Sequence, residues 1–464
     1  MHTPRIIWTP PDKDKTPEVA RIRNRRSPSE LRPAPPNPLS LAIQEEGVPR
    51  VDHAATPKQD AIGLLMLAAE VEHALMAQYL YAAGSLRSGY ARTVAHVAIQ
   101  EMGHLLTVQN LLLALNGITD EGIPRLIHLG RDTIRRASTR NPLPFILEPI
   151  SKDALAKFVV VERPWHISDS TVAQTVNEIE KHVKLLGVSA NPLYALYAAI
   201  RWIFQADDTP DELGLSVALG FRPGWHLTDE DFTNVDIIDR LASTRIEWGS
   251  FPDLIVASVQ NRAQCLAALD LITAQGEGLR STQDSHFSSF FSLFQSFENG
   301  HVAVRPLPRT PRVPGQKISD DPTPTDIIDP ETITWAELFN QCYELLLLDI
   351  AWTLSHEHGE QRVALIGLCT RTMTQVLRPL ARDLTNRPLG GPASGNAGPP
   401  YALLNETCPK TRSDFRERYR ECIARQRAAI DAITSRAGSA PNPLAALRLS
   451  AIEHITETRK PHLP

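Results

Sequence analysis

The hydrophobic and polar positions of residues 61–117 predict two long helices joined by a short turn at Arg87 to Tyr90. In each segment the apolar residues recur at steps of three and four, which is the spacing of one buried helix face. The positions on these two stripes are Leu65, Ala68, Glu72, Leu75, Tyr79 and Ala82, then Val94, Val97, Glu101, His104, Val108 and Leu112. Each buried stripe therefore contains one glutamate, and the second also contains a histidine one turn later.

These polar residues indicate a metal site. An ionised carboxylate in an apolar interior is strongly disfavoured unless it is paired, protonated or bound to a metal. No lysine or arginine lies in either stripe, so a simple buried ion pair is the weaker interpretation. Glu72, Glu101 and His104 are suitable ligands for a divalent ion. A glutamate on one helix and Glu-x-x-His on the next form half of the ligand set of di-iron carboxylate bundles. The spacing from Glu72 to Tyr79, two helical turns, resembles that of ferritin-like helices in which a tyrosine lies beside the metal. Tyr79 is therefore a candidate catalytic residue, and a packing residue with a hydrogen bond is the alternative.

The remainder of the chain is expected to supply the second half of this ligand set. Apolar spacing predicts two further bundle helices, at 250–277 and 284–297. Glu277 lies at the end of the third bundle helix, and His286 lies on the apolar stripe of the fourth. Gln283 stands three residues before His286, where a glutamate would complete the set. Because two divalent ions balance four carboxylates, three carboxylates favour one firmly held ion and a weaker second one.

The pattern also predicts how the chain is divided. Residues 1–58 contain eleven of the 37 prolines and are predicted to be a proline-rich arm. Residues 59–300 are predicted to form the bundle, with a crossover insertion at 118–249, and 301–464 a C-terminal helical region packed on it. The insertion is predicted to contain a strand from Phe158 to Glu162. Further helices are predicted at about 169–187, 192–206, 333–358, 360–385, 411–436 and 442–457.

Composition narrows the class of protein. The chain has 464 residues, of which 42% are hydrophobic and 22% charged, as in soluble globular proteins. A net charge of −5 gives no general attraction to nucleic acid or membranes, so neither is an expected partner. Five cysteines without a CxxC motif predict a reducing, cytoplasmic location. We identify no apolar signal core, and no apolar stretch of the roughly 20 residues that a bilayer requires.

Three further histidines are weighed as site residues. His226 lies in a polar loop, PGWHLTDEDF, and is a candidate catalytic residue that contacts the substrate. His356 and His358 resemble a metal cluster in SHEHGE, but they lie at a predicted helix end and are expected to be solvated.

The chain resembles the ferritin-like domain of the iminophenylpyruvate dimer synthases, which act in violacein and rebeccamycin biosynthesis. The motifs that carry this resemblance are EHALMAQYLYA at Glu72, EMGHLLTVQNLLLALNG at Glu101, LEPISKDALAKFVVVERP at Leu147, QGEG at Gln275, DSHFSSF at Asp284 and NAGPPYAL at Asn396. The resemblance covers roughly residues 60–405. It implies an all-α, ferritin-like four-helix bundle. The metal ligands that it implies are Glu72, Glu101, His104, Glu277 and His286, with Gln283 at the sixth position.

The resulting hypothesis is an enzyme that uses one or two iron ions, or another divalent metal, with dioxygen. Its expected substrate is a small aromatic or amino-acid-derived molecule of natural-product biosynthesis, and this substrate class follows from the resemblance alone. Two alternatives remain open: a non-catalytic metal-binding scaffold for a pathway enzyme, and a zinc hydrolase that uses the same ligands. A pocket that reaches the metal would distinguish an oxidase from a scaffold. A homo-oligomer or a pathway-enzyme partner is compatible with each alternative.

Overall fold

A computed structural model describes the chain over twelve ranges. These are residues 6–9, 47–87, 89–131, 144–187, 193–206, 224–249, 254–276, 285–316, 321–391, 395–403, 407–437 and 443–464. The prediction of an all-α fold is confirmed, because strand within these ranges is limited to two short pairs. Strand β1 (Ile6–Thr9) pairs antiparallel with β2 (Val48–Val51), and β3 (Pro311–Arg312) pairs parallel with β4 (Thr325–Asp326).

Helices make up most of the described chain. In chain order they are α1 (Pro57–Ser85), α2 (Tyr90–Asn116), α3 (Lys152–Val161), α4 (Ser170–Leu185), α5 (Tyr194–Phe204), α6 (Val235–Leu241), α7 (Arg262–Gln275), α8 (His286–Glu298), α9 (Pro330–Leu354), α10 (Glu360–Arg371), α11 (Arg378–Leu384), α12 (Arg412–Ala437) and α13 (Pro443–Arg459). A π-helical segment, Thr372–Leu377, joins α10 to α11, so the helix predicted at 360–385 is continuous but wider in its middle.

The predicted hairpin of two long helices is confirmed, and local signals define its ends. The side chain of Thr56 accepts a hydrogen bond from the Gln59 amide, and Pro57 occupies the first turn of α1. Helix α2 ends at Asn116, and the following Gly117 has φ of 63°, a conformation that favours glycine. Helices α1 and α2 pack along most of their length, which buries the stripes predicted from the sequence.

The third helix of the bundle is α3, which lies where the sequence predicted a strand. The expected strand from Phe158 to Glu162 is wrong: residues Lys152–Val161 are helical, and Glu162 is the C-cap. The side chain of Ser151 starts this helix by accepting a hydrogen bond from the Ala154 amide. The β-branched run at its end favours a strand locally, but tertiary packing overrides that preference.

The packing of three aromatic rings places α3 in the bundle. Tyr79 of α1 lies 4.9 Å from Phe158 of α3 and 4.7 Å from Phe290 of α8, measured between ring centroids. Phe158 and Phe290 lie 5.1 Å apart. The four helices that surround the buried polar residues are therefore α1, α2, α3 and α8. The prediction that 250–277 supplies the third bundle helix is wrong, and the predicted insertion at 118–249 contains one helix of the bundle.

An extended segment crosses α2 where a helix was predicted. Residues 254–259 are not helical, and α7 begins only at Arg262. The Thr107 hydroxyl accepts a hydrogen bond from the Ala257 amide at 3.1 Å, and the Asn110 amide donates to the Ala257 carbonyl at 2.9 Å. Gly103 allows this close approach, because a Cβ at that position would lie 2.5 Å from the Ile255 carbonyl oxygen.

We expect Gly103→Ala to destabilise the protein by about 1–3 kcal/mol, the usual cost of inserting a methylene into a packed interior. The atom that it would meet belongs to the backbone, so the segment itself must move. Chemical denaturation measures the effect. The matched control is Gly84→Ala in α1, where the added Cβ would lie 3.9 Å from Thr385 and is expected to stabilise the helix slightly. Equal unfolding midpoints for the two variants would contradict the prediction.

The C-terminal helices pack on one another and on α1. Helix α9 packs along α12, and the Tyr343 hydroxyl of α9 forms a hydrogen bond with His73 Nε2 of α1. Asp349 of α9 and Arg459 of α13 form a buried ion pair with a closest distance of 2.8 Å. No helix among the described residues is long and apolar enough to cross a membrane.

Candidate metal centre

Five ionisable side chains from the four bundle helices meet in the interior. They are Glu72 of α1, Glu101 and His104 of α2, Glu162 at the end of α3, and His286 at the start of α8. Each is at most 2% exposed. So many ionisable groups in an apolar interior are costly unless each is compensated, and their mutual geometry shows how the compensation is arranged.

Glu101 lies at the centre of this cluster and contacts both histidines. Its Oε2 is 2.9 Å from His104 Nδ1, and its Oε1 is 3.1 Å from His286 Nδ1. The remaining carboxylates lie on opposite sides: Glu72 Oε2 is 3.3 Å from His104 Nδ1, and Glu162 Oε2 is 3.5 Å from His286 Nδ1. The cluster thus has a first lobe (Glu72 and His104) and a second lobe (Glu162 and His286), and the two share Glu101.

A tyrosine holds the outer carboxylate of each lobe. The Tyr197 hydroxyl of α5 donates a hydrogen bond to Glu72 Oε1, and the Tyr79 hydroxyl of α1 donates to Glu162 Oε1. Burial and the nearby Glu162 carboxylate raise the pKa of Tyr79 well above its usual value. Tyr79 therefore stays protonated and acts as a donor, and in each lobe one carboxylate oxygen remains directed toward the histidines.

Two glutamines orient the histidine rings. His104 Nε2 lies 3.1 Å from Gln275 Oε1 of α7, and His286 Nε2 lies 3.0 Å from Gln100 Oε1 of α2. Because an amide oxygen only accepts hydrogen bonds, Nε2 carries the proton in both rings. Nδ1 then faces the carboxylates, and this division between an outer donor and an inner ligand atom is the usual arrangement of metal-bound histidines.

Buried oxygen and nitrogen atoms without a hydrogen bond indicate whether the cluster fits a metal ion. Among the described residues, four of its buried atoms form no hydrogen bond of normal geometry, although each lies 3.1–3.5 Å from a carboxylate or imidazole atom of another cluster residue: Glu72 Oε2, Glu101 Oε1, Glu162 Oε2 and His286 Nδ1. Buried polar atoms almost always have a partner, so four such atoms in one place require an explanation. All four face the interior of the cluster, and carboxylate oxygens with imidazole nitrogens are ligands for iron and similar divalent ions. The residues therefore fit the metal that the fold implies.

The pKa values show how the residues compensate one another without an ion. Burial, followed by the Glu101 carboxylate, raises the pKa of Glu72 to about 8. Burial alone would lower the pKa of His286, but the adjacent carboxylates, Glu101 first, raise it to about 9. Burial would raise the pKa of Glu101, yet His286 and His104 hold it well below its usual value. A divalent ion would replace the protons that the cluster otherwise keeps.

The structure brings most of the predicted site residues together. Glu72, Glu101, His104 and His286 lie in the cluster, and Tyr79 binds it. The remaining two predicted ligands, Glu277 and Gln283, lie outside the described residues.

The structure shows His226 against Trp202, and its contact with a substrate stays a prediction. Its Nδ1 is 2.8 Å from the Trp202 carbonyl oxygen, and its ring lies against the Trp202 indole, with 4.9 Å between the centroids. These contacts hold His226 at the end of α5.

Two residues of the site were missed from the sequence. Glu162 occupies the position that was assigned to Glu277, and the signal for it was Ser151 followed by apolar residues at helical spacing up to Phe158, which puts Glu162 one turn further on. Tyr197 lies within a correctly predicted helix, but no local pattern marks its contact with Glu72.

Two buried acidic residues of α9 pair with arginines outside the cluster. Glu344 lies 3.2 Å from Arg425, and Asp349 is bound by Arg459. The expectation that His358 is not a ligand agrees with its contact to Glu247, at 2.6 Å near the surface.

Comparison with known proteins identifies the kind of bundle. A family model described as Ferritin-like matches residues 65–295. The chain is also similar to 2-imino-3-(indol-3-yl)propanoate dimerase from Chromobacterium violaceum, with 25% identity over 373 residues. That match covers 72% of this chain and 33% of the relative, so the chain spans about a third of the relative's length. No solved structure matches the chain. The family resemblance and the ferritin-like fold predicted from the sequence are confirmed.

Proposed function

Because this chain contains a ferritin-like domain at residues 65–295, we propose that its buried cluster binds iron, as one or two ions. We further propose that the protein uses dioxygen to oxidise a small aromatic or amino-acid-derived substrate in a biosynthetic pathway. The observation that supports the proposal is the convergence of five buried carboxylate and imidazole side chains, four of whose inner atoms form no hydrogen bond among the described residues. Three of them, Glu101, His104 and His286, can place one ligand atom each within 4.8 Å of one another. The substrate class rests on the similarity to a dimerase whose name specifies an indole-bearing imino acid.

The ligand set fits iron by its chemistry. Three carboxylates and two imidazoles form a mixed oxygen and nitrogen set, as in di-iron carboxylate bundles. Glu101 presents one oxygen to each lobe, so it is suited to contact two ions at once. With neutral histidines, three carboxylates leave one positive charge over when two divalent ions bind. This charge balance supports the expectation of one firmly held ion and a weaker second.

Iron, when bound, supplies the electrons needed to reduce dioxygen. The chain's own residues hold the ligands and exclude water. Tyr197 and Tyr79 fix the outer carboxylates, and Gln100 and Gln275 keep the protons of the histidines on the outer nitrogens. The aromatic contacts of Tyr79, described above, line the second lobe with apolar surface, which strengthens the electrostatic interactions inside it.

Oxygen consumption by the iron-loaded protein tests this function. Protein loaded with Fe(II) under anaerobic conditions is expected to take up dioxygen, with a change in absorption as the iron is oxidised. We expect Glu162→Ala to reduce the rate at least tenfold, because it removes an outer carboxylate of the cluster. The matched control is Glu298→Ala on α8, whose side chain is exposed and pairs with Lys152. An iron-loaded wild-type protein that consumes no dioxygen would contradict the oxidase proposal.

A non-catalytic scaffold is the second candidate function. One described cavity, with a volume of about 450 Å³, lies between α12 and the C-terminal residues and is lined by Arg416, Arg420 and Arg427 but by no residue of the cluster. A binding surface away from the metal would suit a partner protein of a pathway. In that case the chain would bind iron in the same experiment without consuming dioxygen. The cytoplasmic location, a homo-oligomer and a pathway-enzyme partner stay predictions.

A further inference from the structure

Gly276 lies beside the second lobe of the cluster. It follows the last residue of α7, and its amide donates a hydrogen bond to the Ile272 carbonyl at 2.9 Å. A Cβ built on Gly276 would lie 3.5 Å from Glu162 Oε2 and 3.7 Å from His286 Nδ1. These are two of the inner atoms that form no hydrogen bond among the described residues. Among the described residues, a methyl group at position 276 would therefore be in ordinary van der Waals contact with two candidate metal ligands.

The backbone does not explain the glycine at this position. Glycine after a helix usually adopts a positive φ that other residues avoid. Gly276 instead has φ of −73° and ψ of −76°, within reach of other residues. A larger residue would thus be compatible with the backbone conformation. What it would change is the space against Glu162 and His286, so the reason for glycine lies on the metal side.

We propose that Gly276 leaves open the position at which a small exogenous ligand, dioxygen or an anion such as azide, binds at the second lobe. This inference rests on the proposed function, because it requires iron in the cluster. The first lobe differs: the Gln275 side chain of α7 contacts His104 there. The end of α7 therefore contacts the first lobe through the Gln275 side chain, and at the second lobe it places a residue without a side chain.

Azide binding to the iron-loaded, oxidised protein tests the inference. Wild type, Gly276→Ala and Gly276→Val are titrated with azide, and the absorption change per bound iron gives the dissociation constant. We expect at least a tenfold weaker azide affinity for Gly276→Ala and a further decrease for Gly276→Val. Iron content and melting temperature should be unchanged in Gly276→Ala, because contacts of 3.5 and 3.7 Å are ordinary. Gly84→Ala, remote from the cluster, is the matched control and should bind azide as the wild type does.

Each outcome decides between the two proposals. A graded loss of azide affinity at Gly276, with the control unchanged, supports the inference. Wild-type azide affinity in both Gly276 variants would overturn it and leave the iron site standing, as would iron-loaded wild type that binds no azide. Wild-type protein that binds no iron would overturn the proposed function together with this inference. Because the absorption change is divided by the amount of bound iron, a variant with reduced iron content still reports its azide affinity.

Discussion

Glu101→Gln is expected to remove metal from both lobes of the cluster at once. Glu101 is the carboxylate that contacts both histidines, at 2.9 and 3.1 Å, and it is the member of the cluster whose pKa is held well below its usual value. It is therefore the anion available to an incoming cation. Glutamine keeps the size of the side chain but offers a neutral carbonyl oxygen, a weaker ligand for a hard ion. We expect bound metal to fall at least tenfold.

Single-lobe variants provide the comparison for Glu101→Gln. Glu162→Gln and His104→Ala each remove a ligand of one lobe, so each should lower metal content without abolishing it. His358→Ala should retain wild-type content, because His358 contacts Glu247 near the surface. Elemental analysis after equilibrium dialysis against Fe(II) under anaerobic conditions measures all four. Equal metal content in the Glu101 and His358 variants would show that Glu101 is not a shared ligand.

The sequence was sufficient for the half of the site that lies on α1 and α2. Both helices are long and strongly periodic, so the apolar spacing determines which faces are buried. Glu101 and His104 are three residues apart on one helix, and their proximity follows from helix geometry alone. To place Glu72 beside Glu101, it was enough to infer that the two helices form a hairpin, and the short turn between them favours one.

The other half depends on tertiary packing, which local pattern does not show. The run at Val159 to Val161 favours a strand, and the packing of Phe158 against rings from other helices outweighs that preference. The Ser151 cap is a local signal for the helix. Because Glu162 ends a predicted strand, the sequence pattern does not identify it as a ligand, and it points to Glu277 before His286 instead. Spacing along the chain does not reveal which of several helices pairs with α8. The contact of Tyr197 with Glu72 joins residues 125 positions apart, so no local sequence pattern predicts it.

Metal affinity is expected to rise steeply with pH between about 6 and 8. In the metal-free protein the pKa of Glu72 is raised to about 8 and that of His286 to about 9. Both groups thus hold a proton in this range. The carboxylates of Glu101 and Glu72 also raise the pKa of His104 well above its usual value, against the effect of burial. A metal ion binds only the deprotonated ligands, so it must displace these protons.

The number of protons displaced sets the slope of this pH dependence. Glu72 and His286 alone would give two protons, or a roughly 100-fold gain in affinity for each pH unit, up to the lower of the two pKa values. His104 adds to this slope. The same raised pKa values stabilise the metal-free fold at low pH. The contribution of Glu72 is lost as the pH rises from about 4.5 to about 8, and that of His286 as it rises from about 6.5 to about 9. The metal-loaded protein lacks these protons and should show a flatter melting profile over the same range.

Competition with a chelator for Co(II), at a series of pH values, measures the slope. Glu72→Gln removes one titrating ligand, so its affinity should be lower and its slope smaller by one proton. His358→Ala should keep the wild-type slope, since its side chain lies outside the cluster. A flat profile in the wild type would mean that the cluster holds no displaceable protons. The contacts between its carboxylates and histidines would then not involve protonated histidines.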